Sequence, residues 1–194
     1  MIRLFMKLLF VIIALVSVTH CKSQSPALQE PVQELRMNLF LGQWQAIGPF
    51  PSESTSPLDE VYFENEADMR GGNVRFHRNQ LYTWKRATTR LVDLQAVLSG
   101  GGEAENCVGY AWTQFVSDKD RKLRLGVAHD DQCATWLNGE LVGRSTMNSP
   151  LALDQSVYDV DVRQGINTLL LKVTNAKKNG TSQPGSFQRT LRLR

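Results

Sequence analysis

The sequence predicts an all-β protein, an antiparallel β-sandwich or barrel with at most one or two short helices. The first reason is periodicity: from about Trp44 onward, apolar and polar residues alternate with a period of two, as in strands that bury one face. Turn-forming residues interrupt this alternation about every eight to twelve residues, a spacing typical of sandwiches rather than of βαβ units. The third reason is size, because 194 residues with a hydrophobic content of 42% can bury one substantial core.

The N-terminal 21 residues predict a signal for export. Arg3 and Lys7 form a positively charged start, and residues 8–18 form an apolar run of eleven residues. A bilayer span needs about 20 such residues, so this run is too short for a comfortable transmembrane helix. We therefore expect the chain to leave the cytoplasm.

The leader ends in Val18-Thr19-His20-Cys21, and polar residues follow. This order resembles the lipobox of bacterial lipoproteins, in which the cysteine is acylated on sulfur and becomes the new N-terminus. His20 departs from the motif, which has Gly, Ala or Ser at that position. The resemblance implies lipidation at Cys21 and a cell-envelope location, with the lipid as the only membrane anchor. Plain secretion or a periplasmic location, and an uncleaved anchor, are the alternatives.

Residues 22–36 predict a polar tether punctuated by proline, and residues 37–194 predict the folded domain. The net charge of the whole chain is +3, but Arg3 and Lys7 belong to the leader. The remaining 20 Lys and Arg against 19 Asp and Glu leave a net charge of +1. This balance lacks the basic footprint of a nucleic-acid-binding protein, so no nucleic-acid partner is expected.

Strands are predicted wherever the alternation is clear. In chain order they cover residues 44–47, 81–84, 108–116, 123–128, 134–137, 140–142, 157–162, 168–174 and 187–193. The run at 168–174 is apolar on both faces for most of its length, as expected of a central strand. Asn138 and Gly139 separate two apolar runs, and both accept the positive φ of a type I′ hairpin turn. Residues 91–98 have helical spacing and stop before Gly100, which predicts one short helix.

If Cys21 is acylated, Cys107 and Cys133 remain as an even pair in an oxidising compartment. A disulfide across their separation of 26 residues would stabilise the fold by about 3–4 kcal/mol. We predict this disulfide, with two buried free thiols as the alternative. The sequence has no CxxC motif and no His/Cys spacing typical of a zinc site.

Five segments follow one another in a recognisable order. They are WQAIGPF at 44–50, YAWT at 110–113, LGVAHDD at 125–131, TWLNGELV at 135–142 and GINTLLLKV at 165–173. This order resembles the galactose-binding-domain-like β-sandwiches, in particular those attached to bacterial carbohydrate-active enzymes and the sugar-binding domain of family 2 glycoside hydrolases. The resemblance implies a jelly roll of about eight strands, often non-catalytic, which in several relatives binds glycans or structural calcium.

Three residues are candidates for carbohydrate binding. Trp84 offers a flat ring on which the C–H face of a sugar can stack, and Arg86 follows two residues later as a donor to hydroxyls or to an acidic glycan. Asn138 lies near a loop edge from which its amide can reach a sugar hydroxyl. The alternative for each is structural: Trp84 in the core, Arg86 on a solvated strand edge, and Asn138 as a turn former.

Asp130 and Asp131 match the acidic pair that the family carries before its WLNG turn. Two adjacent carboxylates with nearby carbonyls can contribute to a calcium site, which takes about six to eight oxygens. Asx residues at a strand end also form turns, and that is the alternative. Apart from this structural calcium, no cofactor is expected.

Catalytic motifs are sparse in this sequence. His77 and His129 have no Ser or Cys nucleophile in a recognisable frame. The carboxylates between residues 60 and 68 lie in a loop-like stretch and indicate surface solvation rather than glycoside cleavage. We therefore predict a non-catalytic, carbohydrate-binding-like module of the cell envelope or a secreted one, whose partner is a carbohydrate or an envelope protein. A structural module that supports a glycan-active enzyme is the alternative, and a carbohydrate-active hydrolase is a weaker one.

Overall fold

The computed structural model describes residues 32–34, 40–72, 75–88, 91–100, 102, 104–147, 151–175 and 188–193. Thirteen strands and one α-helix lie within these residues. In chain order they are β1 (Val32–Glu34), β2 (Trp44–Pro51), β3 (Arg75–His77), β4 (Gln80–Tyr82), β5 (Lys85–Ala87), β6 (Leu91–Asp93), α1 (Leu94–Ser99), β7 (Cys107–Ser117), β8 (Arg121–His129), β9 (Cys133–Leu137), β10 (Glu140–Ser145), β11 (Ser156–Val162), β12 (Gly165–Asn175) and β13 (Gln188–Leu193).

Most of these strands belong to two sheets. The large sheet has the strand order β10-β9-β12-β7-β2-β5, with β1 beside β7, and the small sheet has the order β11-β8-β13-β6. The strands β3 and β4 form a separate hairpin. Among the described strands, every pairing is antiparallel except that of β1 with β7. The prediction of an all-β, antiparallel sandwich with one short helix is confirmed.

The inner faces of the two sheets enclose the main hydrophobic core. The large sheet contributes alternate residues of β7 and β12, among them Phe115, Leu169 and Leu171. The small sheet contributes Leu125 and Val127 of β8, and each of these five side chains is at most 1% exposed. Burying a side chain of this size contributes about 1.5–3 kcal/mol, so this layer is the main source of stability.

The opposite, outer face of the large sheet is also apolar. It carries Tyr110 and Trp112 of β7 and Leu170 of β12, which are at most 3% exposed. The chain between β2 and β5, which we call the covering segment (residues 52–84), packs Tyr62 and other aromatic side chains against them. The large sheet is therefore buried on both faces, and the covering segment forms a third layer.

Two local predictions are confirmed by the sheet order and the backbone. The apolar run at 168–174 lies in β12, which is flanked by β9 and β7 and is thus central. Asn138 and Gly139 form the turn between β9 and β10, with φ values of 52° and 84°. These positive values are the ones that a type I′ turn requires.

The observed helix begins later than the predicted one. The helix expected over residues 91–98 begins at Leu94, because Leu91–Asp93 forms β6 and pairs with β13. The Asp93 side chain accepts a hydrogen bond from the Ala96 amide at 2.9 Å and so caps the helix. Helical spacing alone does not reveal a strand pairing with a segment almost a hundred residues away.

The leader lies outside the described residues. The predicted signal peptide over residues 1–21 and the lipidation of Cys21 therefore stay predictions. Within the described part of the chain, no helix is long and apolar enough to cross a membrane.

The tether predicted over residues 22–36 includes strand β1, so this prediction needs correction. The Gln33 side chain fixes β1 beside β7: its Nε2 donates to Thr113 Oγ1 at 2.8 Å, and its Oε1 accepts from the Gly42 amide at 2.9 Å. The folded domain therefore begins no later than Val32, rather than at residue 37.

The predicted disulfide between Cys107 and Cys133 is not formed, and both residues are buried free thiols. Cys107 lies in β7 and Cys133 in β9, and β12 runs between these two strands. Two strand spacings amount to about 10 Å, beyond the Cα separation of about 7 Å that a disulfide can bridge. The Cys107 thiol instead donates to the Ala104 carbonyl at 3.2 Å. Burial raises the pKa of Cys107 to about 12, so this thiol stays protonated.

Candidate functional site

A groove of about 410 Å³ opens at one end of the outer face of the large sheet. Its polar lining comes from parts of the chain that are far apart in sequence. These residues are Asp68, Arg70, Gln114, Asn138, Arg163 and Thr168. Ile166, whose side chain is 62% exposed, adds an apolar surface. Of the described residues that line the groove, none is aromatic.

Two neighbouring strands form the floor of the groove. Gln114 of β7 and Thr168 of β12 are cross-strand partners. The adjacent pair on the same face, Trp112 and Leu170, lies in the hydrophobic cluster beneath the covering segment. The floor therefore begins where the outer face changes from apolar to polar.

The covering segment supplies one wall of the groove, which we call the wall segment (residues 66–72). It starts with the 3₁₀ turn Glu66–Asp68 and places Asp68 and Arg70 beside the groove. Both of these side chains are exposed, and neither makes a hydrogen bond or an ion pair within the described part of the chain. A free carboxylate and a free guanidinium therefore share one wall.

A second guanidinium borders the groove from the connection between β11 and β12. Arg163 Nη2 lies 3.6 Å from Glu140 Oε1, and both side chains are exposed. An exposed pair at this distance contributes little, typically about 0–1 kcal/mol. Arg163 can therefore exchange this partner for an acceptor in the groove at small cost.

Asn138 holds two turns together. Its Oδ1 accepts from the Thr168 amide at 2.9 Å, and its Nδ2 donates to Asn167 Oδ1 at 2.9 Å. Asn167, which is fully buried, donates in turn to the carbonyls of Arg163 at 2.7 Å and Gly165 at 3.1 Å. Asn138 lines the groove, but both ends of its amide are engaged within the protein. The structure supports its turn-forming role, and a contact with sugar stays a prediction.

The structure does not bring Trp84 and Arg86 to the groove. Of the strand predicted at 81–84, only residues 81–82 lie in a strand, β4, and Trp84 lies between β4 and β5. Its side chain is 6% exposed and packs in the outer-face cluster, so too little of the ring is free for a sugar to stack on. Arg86 is exposed on β5, across the sheet from Gln45. The stacking platform expected at Trp84 is therefore corrected to a core position.

Asp130 and Asp131 lie in the connection between β8 and β9, and both are half-buried. Asp131 has a φ of 55°, and its carbonyl lies 2.9 Å from His129 Nδ1. These features are those of a tight turn. No group of three or more His, Cys, Asp or Glu side chains suited to a metal occurs among the described residues. Calcium at this turn stays a prediction.

The sequence analysis did not identify Lys172, which is the most unusual residue near the groove. It lies on the outer face of β12, and its side chain is 1% exposed. Its Nζ lies 3.0 and 3.1 Å from the two carboxylate oxygens of Glu66, and 5.0 Å from the ring centroid of Tyr62. Burial lowers the pKa of Lys172, and the Glu66 carboxylate acts in the opposite direction. The alternation along β12 places Lys172 outward, but only the covering segment buries it.

Glu66 is the centre of this buried polar cluster. The Tyr110 hydroxyl donates to Glu66 Oε1 at 2.5 Å, and the Tyr62 amide donates to the same oxygen at 2.8 Å. Burial raises the pKa of Tyr110, and the neighbouring Glu66 carboxylate raises it further, so the phenol stays a donor. With Lys172, three groups converge on one carboxylate, and the two that come from the sheet, Tyr110 and Lys172, hold the covering segment on it.

A second carboxylate of the covering segment, that of Glu60, also has internal partners. Glu60 accepts from Ser52 Oγ at 2.6 Å, from the Tyr62 hydroxyl at 2.8 Å and from Arg78 Nη2 at 3.3 Å. Burial by itself would raise the pKa of Glu60, but these donors outweigh burial and the pKa is lowered. Glu60 thus joins three parts of the covering segment.

Comparison with known proteins identifies similar structures but no family. No protein-family model matches the chain, and no curated protein matches it. The chain is similar to a selenomethionine-labelled β-glucosidase from Kluyveromyces marxianus, with 13% identity and a TM-score of 0.46, over 79% of this chain and 16% of that one. It is also similar to an FMN-binding β-glucuronidase from Facaelibacterium prausnitzii L2-6, with 14% identity and a TM-score of 0.42, over 80% and 22%.

A third similar structure is a family 35 carbohydrate binding module from Clostridium thermocellum, with 15% identity and a TM-score of 0.28, over 46% of this chain and 72% of the module. The chain spans less than a quarter of the length of the two enzymes. At these TM-scores, none of the three similarities carries an argument about the groove. The assignment of the fold is based on the strand pairing described above. The chain is an all-β sandwich whose large sheet carries a third layer and a polar groove.

Proposed function

We propose that this chain is a non-catalytic module of a bacterial cell envelope that binds carbohydrate in the groove. The observation that supports this best is the pair of free, oppositely charged side chains, Asp68 and Arg70, on one wall of a polar concavity. Ligand sites in proteins are concave and fix their ligand with a small number of polar groups. The guanidinium of Arg163 adds a third charged group to the same groove.

The chemistry of these groups suits a sugar. Each sugar hydroxyl both donates and accepts, so neighbouring hydroxyls can donate to Asp68 and accept from Arg70, whose planar guanidinium has five N–H donors. Hydrogen bonds to charged groups contribute about 1.5–3 kcal/mol each. The exposed side chain of Ile166 can cover part of the apolar C–H face of the ring.

The location outside the cytoplasm is part of the same proposal. It follows from the leader over residues 1–21 and from the lipobox-like sequence that ends at Cys21. We expect the wild-type chain in the membrane fraction, with an acylated N-terminal peptide by mass spectrometry. We expect Cys21→Ser to release the chain from the membrane or to retain an uncleaved leader. Recovery of the wild-type chain in the cytoplasm would contradict the export proposal.

Binding is tested with the mature chain isolated from cells in detergent. The probes are cellohexaose, xylohexaose, mannohexaose, β-1,4-galactohexaose and hexagalacturonate, titrated by calorimetry. We expect saturable binding of at least one probe and a loss of about tenfold or more in affinity for Arg70→Ala, because one charge-assisted hydrogen bond is removed. The matched control is Arg75→Ala, since the Arg75 side chain also makes no hydrogen bond or ion pair within the described residues but does not line the groove.

The possible outcomes distinguish a wrong binding site from a wrong function. Binding that Arg70→Ala and Arg75→Ala weaken equally would place the ligand elsewhere on the module. No saturable binding of any probe would overturn the carbohydrate proposal for these sugar classes.

One observation favours a second candidate, a module that supports a glycan-active partner protein. Phe76 and Leu81 are cross-strand partners in the β3–β4 hairpin, yet they are 71% and 51% exposed. Exposed apolar pairs of this kind occur at protein interfaces. A photo-crosslinker at Phe76 should then capture one envelope protein with glycan-active function, and Leu81→Ser should abolish that capture while Val157→Ser, which alters an exposed residue of β11, should not.

A further inference from the structure

We infer that Lys172 and Glu66 are positioning residues of the groove: together they hold the wall segment (residues 66–72) in the conformation that presents Asp68 and Arg70. This inference rests on the proposed carbohydrate function, because it assigns Asp68 and Arg70 to the same ligand. Neither Lys172 nor Glu66 lines the groove. The wall segment has three attachments to the rest of the domain, and Lys172 and Glu66 form the first of them.

The first attachment is the buried ion pair. Glu66 is the first residue of the 3₁₀ turn that ends at Asp68, so the position of its carboxylate determines where the turn lies. The carboxylate is held by Lys172 Nζ at 3.0 Å and by the Tyr110 hydroxyl, both from strands of the large sheet. The N-terminal end of the wall segment is therefore bound to β12 and β7.

The second attachment is at the other end of the wall segment. The Gly72 amide donates to Gln45 Oε1 at 2.8 Å, and Gln45 is a buried residue of β2. Gly71 packs directly on Trp112 of β7: a Cβ added to Gly71 would lie 2.6 Å from Trp112 Cε3. Only glycine permits this close approach of the backbone to the ring.

The third attachment joins the wall segment to the β9–β10 turn. A Cβ added to Gly139 would lie 3.1 Å from Asp68 Oδ1 and 3.8 Å from the Ala67 carbonyl. The turn and the wall are thus in close contact on the side where the groove opens. The wall segment touches β2, β7, β12 and this turn. Within the described residues it still leaves the side chains of Asp68 and Arg70 without a hydrogen bond or an ion pair.

The consequence is a binding wall that is ordered before the ligand arrives. A ligand that had to order this segment itself would lose part of its binding free energy to the conformational entropy of the loop. An exposed loop of this length usually moves freely, whereas this one is fixed at both ends by buried groups. Removing the Lys172–Glu66 pair should therefore weaken binding although no group that contacts the ligand is changed.

The test uses the double variant Lys172→Met with Glu66→Gln in the mature chain. It removes both buried charges together, keeps the side-chain volumes, and leaves a Gln oxygen to accept from Tyr110 and Tyr62. The first readout is amide hydrogen exchange of residues 67–72 without ligand, where we expect exchange about tenfold faster than in the wild type. The second is calorimetry with the same hexasaccharides, where we expect about tenfold weaker binding.

The matched control is Val160→Ala, which weakens the core between the two sheets on β11, away from the wall segment. It should lower the thermal midpoint while leaving both the exchange of residues 67–72 and the affinity at the wild-type values.

Unchanged exchange in the wall segment of the double variant would overturn the inference, even if binding weakened. Faster exchange with unchanged affinity would also overturn it, since the order of the wall segment would then make no difference to ligand binding. If the wild type binds none of the hexasaccharides, the proposed function fails. Exchange then still decides whether Lys172 and Glu66 fix the wall.

Discussion

Replacing Gly71 by alanine directly tests the packing of the wall segment against Trp112 and Gln45 of the large sheet. The added Cβ would lie 2.6 Å from Trp112 Cε3 and 2.7 Å from both Cδ and Oε1 of Gln45. Favourable carbon contacts lie at about 3.5–4.0 Å, so the side chains or the wall must move by about 1 Å. Neither side chain has room to retreat, because Trp112 is 0% and Gln45 is 1% exposed.

The expected cost is steric rather than conformational. Gly71 does not have a positive φ, so alanine fits its backbone and would by itself stabilise the fold by about 0.4–1 kcal/mol through the unfolded state. Overpacking a rigid site costs about 1–3 kcal/mol. We therefore expect the free energy of unfolding to fall by about 1–2 kcal/mol, with a fall in Tm of about 2–4 °C for each kcal/mol.

The measurement is urea unfolding followed by tryptophan fluorescence, together with hydrogen exchange of the wall segment. Gly42→Ala is the matched control, because nothing lies within 4 Å of a Cβ at that position and the change should stay within about 0.5 kcal/mol. If Gly71→Ala had the same midpoint as Gly42→Ala and an unchanged exchange in the wall segment, the packing of the wall on Trp112 would be refuted.

Three further predictions concern the rest of the domain. Asn167→Ala should cost about 2–4 kcal/mol in urea unfolding, because it leaves buried turn groups without partners, and a loss below about 0.5 kcal/mol would contradict the clamp between the two turns. Cys107 and Cys133 should resist iodoacetamide at pH 8 in the folded chain and both react after unfolding, and a disulfide-linked peptide in the digest would show the assignment as free thiols to be wrong. The folded pKa of Glu60 is lowered, so its stabilisation is present above its unfolded pKa of about 4.3 and is lost as pH falls through the folded pKa. The drop in Tm from pH 7 to pH 3 should therefore be smaller in Glu60→Gln than in the wild type, and an equal drop would mean that Glu60 is unimportant for acid sensitivity.

The strands with clear alternation were predictable because their signal is local. β7, β8, β11 and β12 lie where the period of two is longest, and the structure extends each of them by only a few residues. The turn at Asn138 and Gly139 follows from the backbone preferences of these two residues alone. The central place of β12 follows from its apolar residues on both faces, since only a strand covered on both sides buries them.

The covering segment was not predictable, because its structure depends on contacts between residues distant in sequence. Glu66 and Lys172 are 106 residues apart, and no periodicity near either residue indicates the other. Trp84 packs in the outer-face cluster, and its alternation with polar neighbours does not indicate that this cluster buries it. The disulfide prediction failed for a related reason: sequence spacing does not show that β12 separates Cys107 from Cys133.

The place of the groove follows from a change of polarity along two neighbouring strands. On the outer face, β7 changes from Trp112 to Gln114, and β12 changes from Leu170 to Thr168 at the same level of the sheet. The apolar pair must be covered, because exposing so large an apolar area to water is unfavourable. The polar pair does not need an apolar cover, and Gln114, 6% exposed, and the half-buried Thr168 line the groove. The edge of the covering segment lies at this boundary, so residues 66–72 form a wall beside the polar floor.

Lys172 belongs to the covered side of this boundary and makes the cover specific. An apolar residue at its position could pack against different apolar side chains of the covering segment. The segment could then lie on the sheet in several alternative positions. A buried ammonium instead favours the one arrangement that places a carboxylate beside it. Leaving a buried charge without its partner costs about 3–5 kcal/mol. Glu66 satisfies that requirement in one register, and this register places Asp68 and Arg70 beside the floor at Gln114. We therefore infer that the buried pair both holds the cover on the sheet and fixes the position of its edge, which is the wall segment beside the groove.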